Sequence, residues 1–241
     1  MEERFQKTLK TRILQQIMAE RRTVRAFDTR MPDPALVEEV LAAGQLAPHA
    51  AFGKQKDEIR RFYVFPAGTA ARAQIEQALQ NNAAAFEKKL RPGPHRWWFN
   101  FWEHVFRDYA FNSRSIEMMR LSFYQASQFT GHFANLSSAP LLIIVAEQRR
   151  GPSVSNWLDR QSLAHCLQNM WLMSTALELA FQPVSGLALL FRDPAACTLL
   201  NLPPAQYALD GFLLGHPAGA PHSSTDVAYH PEDVTWFRAD S

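Results

Sequence analysis

Arg21-Arg22-Thr23-Val24-Arg25 puts three guanidiniums and a hydroxyl within five residues. A guanidinium is a planar fork of N–H donors that matches phosphate oxygens, and a hydroxyl adds one more bond. The chemistry of such a run is anion binding, with phosphate as its natural ligand. The same residues also fit a plainer purpose. Phe5 to Met18 has the spacing of an amphipathic helix, and arginines just beyond a helix C-terminus complement its dipole. His49 is a second candidate, because an imidazole titrates near neutral pH and can hand on a proton. A lone histidine serves equally as a structural group. Lys54 and Gln55 can donate to a carbonyl or stand solvated in a loop.

Other chemistries lack their residues. The chain has no Gly-x-Gly-x-x-Gly, no phosphate loop, no Gly-x-Ser-x-Gly, and no paired Cys or His at metal-ligand spacing. His216 and His222 flank Pro-Ala-Gly-Ala-Pro and read as loop residues.

The elements that must position these groups are legible in part. Asp33 before Pro34 is an N-cap followed by a first-turn proline, and Leu36, Val37, Val40, Leu41 and Leu46 carry that helix to about Ala47. Pro48 ends it. Arg61 to Phe65 predicts a strand and Ala70 to Leu90 a helix. Leu141 to Ala146 predicts a second strand, and Asn156 to Phe181 a long helix stopped by Pro183. Leu187 to Phe191 and Ala208 to Leu214 read as the remaining strands. The long helix is apolar nearly all round, a pattern expected of burial on every side and common at subunit interfaces. Strands separated by helices point to a mixed α/β sandwich. Between Pro92-Gly93-Pro94 and His132 lies an aromatic-rich stretch with Trp97, Trp98, Phe99, Phe101, Trp102, Phe106, Tyr109 and Phe111.

Composition bounds the class. Hydrophobic residues make up 47%, enough for a sizeable core, and charged residues 20%, which argues against disorder. A net charge of +2 gives no reason to propose a nucleic-acid partner. Cys166 and Cys197 sit in apolar helical patterns and read as buried free thiols, which fits a reducing compartment. Met1-Glu2-Glu3-Arg4 is charged and lacks the apolar segment of a secretory signal, and no apolar run is long enough to span a bilayer. A soluble, cytoplasmic protein is the expectation, as one domain over residues 1–241 with an insertion at about 91–132.

Five short segments, taken in order, resemble the FMN-dependent nitroreductase superfamily. The run from Arg21 to Phe27 resembles its opening Arg-Arg-Ser-Val-Arg-x-Phe. Ala47-Pro48-His49-Ala50 resembles Ala-Pro-Ser-Ala, and Pro140 to Val145 its Ala-Pro-apolar strand. Asp159 to Gly186 is similar to its long central helix and following turn, and His230-Pro231-Glu232-Asp233-Val234 to its closing Pro-x-Glu-Glu-Val. Order and spacing are more specific than any one motif.

The resemblance implies an α+β fold: a three-layer α/β sandwich with a mixed central sheet and a long buried central helix. It also implies a homodimer whose C-terminal extension wraps the partner. Arg21, Arg22, Thr23 and Arg25 would hold the FMN phosphate. Pro48, His49 and Ala50 would lie beside the ring system, with Gln55 and Asn112 as donors to its pyrimidine edge. Ser185 and Gly186, in the turn after Pro183, would present backbone N–H groups to the ring. His230 would stand near the phosphate. The sequence departs from the pattern in four places: His49 replaces Ser, the usual Asn before Gln55 is missing, Ser185 replaces Glu, and no basic residue precedes Pro231 except His230.

The activity so implied is ping-pong: NAD(P)H reduces the flavin by hydride transfer to N5, and a small planar acceptor is then reduced. The aromatic insertion would be a lid stacking on that acceptor, additional core or dimer interface, or a membrane-surface helix. Two other functions stay open. One is a flavoenzyme of the same fold with different chemistry, such as dehydrogenation with oxygen, dehalogenation or flavin fragmentation. The other is a non-catalytic member that has lost FMN and acts as a binding protein.

Overall fold

The computed structural model describes residues 2–49, 59–90, 136, 139–149, 156–219 and 235. Helix α1 spans Glu2–Glu20 and α2 spans Pro34–Gln45, followed by strand β1 at Arg60–Pro66 and α3 at Ala70–Leu90. Strand β2 is Leu141–Gln148, and the long helix α4 is Asn156–Ala176. Strand β3 at Ala180–Pro183 leads into a 3-10 helix at Ser185–Arg192. The short helix α5 at Pro194–Leu199 and strand β4 at Tyr207–Gly215 complete the described elements.

The four strands form one sheet in the order β1-β2-β4-β3, and every pairing among them is antiparallel. This corrects the expected mixed sheet: among the described residues there is no parallel pair. Helices cover both faces. On one face Val37 and Val40 of α2 and Leu163, Leu167 and Met170 of α4 pack on Leu141, Ile143, Val145, Phe212 and Leu214. On the other face Ile75 and Leu79 of α3, with Leu187 and Leu190 of the 3-10 helix, pack on Leu142, Ile144, Leu209 and Leu213. Coverage of both faces explains why β2 runs apolar from Leu141 to Ala146 with no polar alternation.

Local signals set most boundaries. Asp33 Oδ1 accepts from the Ala35 amide at 2.9 Å, and Pro34 occupies the first turn, as the sequence predicts. Where α2 crosses α4, Gly44 lets them touch: a Cβ there would lie 2.5 Å from the Met170 sulfur. Cys166 and Cys197 are free and buried. Burial pushes the Cys166 thiol up to about 12, which leaves it unreactive as a nucleophile.

Two expectations fail. The long helix stops at Ala176 rather than Phe181, and Pro183 ends a strand instead. Glu178 takes a left-handed φ of 57°, while Leu179 N donates to Ser174 O and Glu178 N to Thr175 O. That is a Schellman ending, built on a glutamate where glycine is the usual signal. The apolar run Leu187–Phe191 is not a strand. Leu187 and Leu190 are fully buried, three residues apart, while Leu189 is exposed, the period of the 3-10 helix found there. In addition, α4 is not buried all round within one chain. Leu163, Cys166, Leu167 and Met170 face inward, but Arg160, Gln161, Ala164, His165 and Gln168 are exposed.

The aromatic stretch at about 91–132 and the closing segment with His230 lie outside the described residues, as do Ala50, Lys54, Gln55 and Asn112.

Candidate functional site

The arginine run begins where α1 ends and is held in place by the sheet. Val24 N donates to Phe181 O of β3 at 3.1 Å. Farther on, Asp28 N donates to His216 O, Ala218 N donates to Ala26 O, and Phe27 forms an isolated bridge with Pro217. The run is thus laid along the edge strand and the exit of β4. Its side chains are not taken up by acids: no described carboxylate pairs with Arg21, Arg22 or Arg25. The Arg21 guanidinium sits over the Trp171 ring, with Cζ 4.2 Å from the ring centroid. Arg22 Nη1 donates to the Arg21 carbonyl at 2.7 Å. Arg21, Arg22 and Thr23 are half-buried, and Arg25 is exposed.

The turn after β3 is brought to the same edge. Phe181, which accepts from Val24, lies two residues before Pro183. Val184 N then donates to Gly211 O at 2.9 Å, and the 3-10 helix starts at Ser185. Gly211 makes this possible. A Cβ there would lie 2.2 Å from Ile143 O and 2.7 Å from Leu187 Cδ1. The amides of Ser185 and Gly186 open the helix, where the first N–H groups find no acceptor within the helix. The arginine run and the opening of the 3-10 helix are thus both tied to β3, the run through Phe181 and the helix through the turn after Pro183.

Pro48 and His49 lie elsewhere, past the end of α2, over the first half of α4. His49 Nε2 is 3.1 Å from Glu147 Oε1, with the side chains 5% and 0% exposed. The contact has ion-pair distance but not hydrogen-bond alignment, since Glu147 Oε1 has no aligned donor. Arg60 donates to the other oxygen of Glu147, through Nη2 at 2.9 Å and Nε at 3.2 Å. Arg60 also donates to Gly44 O at 2.7 Å and to Ser162 Oγ at 3.3 Å, and Ser162 Oγ donates to Pro48 O at 3.4 Å. The imidazole of His49 is turned inward, where it anchors the Pro48-His49 segment to the sheet. Nearby on the same face, burial raises the Asp210 carboxyl to about 6, against the Gly211 amide and Arg160, which pull it down.

The nitroreductase family model matches residues 18–216. The chain belongs to the nitroreductase family. Among solved structures it resembles a nitroreductase with bound FMN from Desulfitobacterium hafniense DCB-2, at 17% identity and a TM-score of 0.60 over 94% of this chain and 98% of that one. It also resembles a nitroreductase with bound FMN from Bacteroides fragilis NCTC 9343, at 19% identity and a TM-score of 0.57 over 93% and 98%. A third is a variant of an FMN- and NADPH-dependent nitroreductase from Sphigopyxis sp. strain HMH, at 17% identity and a TM-score of 0.58 over 94% and 99%. No curated protein matches the chain. At these identities the structures share its nitroreductase-like α+β fold.

Within this nitroreductase-family fold, the candidates named from sequence divide by place. Arg21, Arg22, Thr23 and Arg25 lie in the segment that Val24 ties to Phe181 of β3, the strand that leads into the turn at Ser185 and Gly186. Pro48 and His49 belong to the buried ionic network. Arg60, Glu147, Ser162, Trp171 and Gly211 were not singled out from sequence. A signal existed for one pair: Glu147 is an acid directly after the apolar run Leu141–Ala146, and Arg60 faces it in register across β1 and β2. Trp171 carries no such mark.

Proposed function

We propose that this nitroreductase-family chain is an FMN-dependent oxidoreductase that uses NAD(P)H to reduce a small planar acceptor, acting as a homodimer. The observation that carries the reading is a cationic run that meets no described acid and is tied by Val24 to β3, the strand that leads into the 3-10 helix. The donor set fits FMN in kind. Three guanidiniums and the Thr23 hydroxyl suit a phosphate monoester, and paired backbone amides suit the acceptor edge of a ring. Arg21, Arg22, Thr23 and Arg25 would hold the phosphate, and the amides of Ser185 and Gly186 would orient the ring. FMN, when bound, supplies reversible hydride exchange. The inward imidazole of His49 gives it a positioning part: it holds Pro48 and its neighbours where α2 meets α4.

The homodimer is supported by exposed apolar residues on α1. Leu9, Ile13, Leu14 and Met18 are each 42 to 52% exposed, and they form two pairs at i, i+4 spacing, Leu9 with Ile13 and Leu14 with Met18. The exposed positions of α4 add to the surface that a second copy would cover.

The test is the absorbance spectrum of the purified protein, with the chromophore released by denaturation and identified. One FMN per chain, bleached by NADH or NADPH, is the expected result. A colourless protein that takes up no added FMN overturns the reading.

A further inference from the structure

Trp171 touches the arginine run twice, by two different means. Its ring lies under the Arg21 guanidinium at 4.2 Å, and its Nε1 donates to the Arg22 carbonyl at 3.0 Å. The ring is itself backed. Trp171 stacks on Phe181, with centroids 5.2 Å apart and planes 14° from parallel, and Phe181 stacks on Phe212 at 4.0 Å. Phe181 and Phe212 are fully buried, and the Phe181 carbonyl accepts from Val24. One side chain on α4 thus joins the first two residues of the run to a rigid aromatic column in the sheet.

The choice of an aromatic ring has a consequence for charge. A carboxylate beside Arg21 would hold the guanidinium still but neutralise it and occupy its N–H groups. A ring face attracts the cation through its quadrupole and takes up no N–H donor. The donors lie in the guanidinium plane and remain free for phosphate oxygens. A cation held in place before the ligand arrives also loses less side-chain freedom on binding.

We propose that Trp171 is the positioning residue of an anion cradle formed by Arg21, Arg22, Thr23 and Arg25. It presents Arg21 charged and undocked from any described acid, and fixes the backbone carbonyl of Arg22. The identity of the anion as the FMN phosphate rests on the function proposed above, whereas the cradle itself does not.

Two variants and three probes test this. Trp171→Leu keeps apolar bulk against Phe181 but removes the ring face and the N–H donor. Trp171→Phe keeps a ring under Arg21 and loses only the bond to the Arg22 carbonyl. Each folded protein, checked by thermal melting, is titrated with FMN and with riboflavin by flavin fluorescence, and with inorganic phosphate by calorimetry. Trp171→Leu is expected to weaken FMN and phosphate about tenfold, equivalent to about 1.4 kcal/mol, and to leave riboflavin, which has no phosphate, unchanged. Trp171→Phe is expected to recover most of that loss. Equal affinity of the wild type and Trp171→Leu for FMN and phosphate overturns the proposal. So does a parallel fall for FMN and riboflavin, the mark of a packing role alone. A wild type that binds phosphate but neither flavin removes the FMN reading and leaves the cradle, provided Trp171→Leu weakens the phosphate. A wild type that binds none of the three overturns both.

Discussion

Arginine is used in opposite ways at the two ends of α4. Near its start, Arg60 is buried and its donors are met by Glu147, Gly44 and Ser162. Near its end, Arg21 is half-buried over Trp171 and meets no described acid. The first cation is fully partnered, so its role is to tie α2, β1, β2 and α4 together. The second is held over a ring and meets no described acid, as the proposed anion cradle requires. Residue type alone does not separate these roles; partnership does.

Removing the carboxylate at the closed end is expected to have the largest effect. Glu147→Ala leaves the buried Arg60 unpaired, and breaking a buried pair from one side costs about 3–5 kcal/mol. Denaturant unfolding should show that loss, and an unchanged midpoint would mean the network is not holding the fold.

At the same end, Asp210 tests whether burial is being opposed by charge. An acid whose folded pKa is raised favours its protonated form in the fold. That stabilising contribution is complete below about 3.8 and is lost as pH rises through about 6. Asp210→Asn should therefore raise stability at pH 7–8 by about 2–3 kcal/mol and flatten the dependence between those values. Identical pH profiles for the two proteins would contradict the burial argument.

At the open end the readout changes from stability to affinity. Arg25→Ala should leave the melting temperature nearly unchanged and weaken FMN binding about 10- to 100-fold, the range for losing one charge-assisted bond. A large loss of stability with unchanged affinity would reverse the assigned roles of the two ends. Thr23→Val should be smaller, about two- to tenfold in affinity, because a neutral hydroxyl contributes less. No change on titration with FMN would take Thr23 out of the cradle.

Much of the frame is legible in short stretches. Asp33-Pro34 starts α2, Ala70 to Leu90 is a helix from end to end, and the apolar run after Pro140 is a strand covered on both faces. Each follows from neighbours a few residues apart. The site is less legible. The arginine run stands out by composition, and the turn at Ser185-Gly186 by its resemblance to the family pattern. His49 is visible as a titratable group, but its inward orientation depends on Glu147, far along the chain. Trp171 has the look of one more apolar residue on a helix.

The amino-acid sequence by itself determined the local elements and the cluster of donors, because caps, breakers, periodicity and charge density act through neighbours along the chain. Tertiary structure alone decided which arginine is neutralised and which is left charged. It also decided that Leu187 to Phe191 coils against Gly211 rather than extending, and that Trp171 lies beneath Arg21. Those outcomes depend on which distant groups share a desolvated space, and burial and partnership set the energies of charged side chains there.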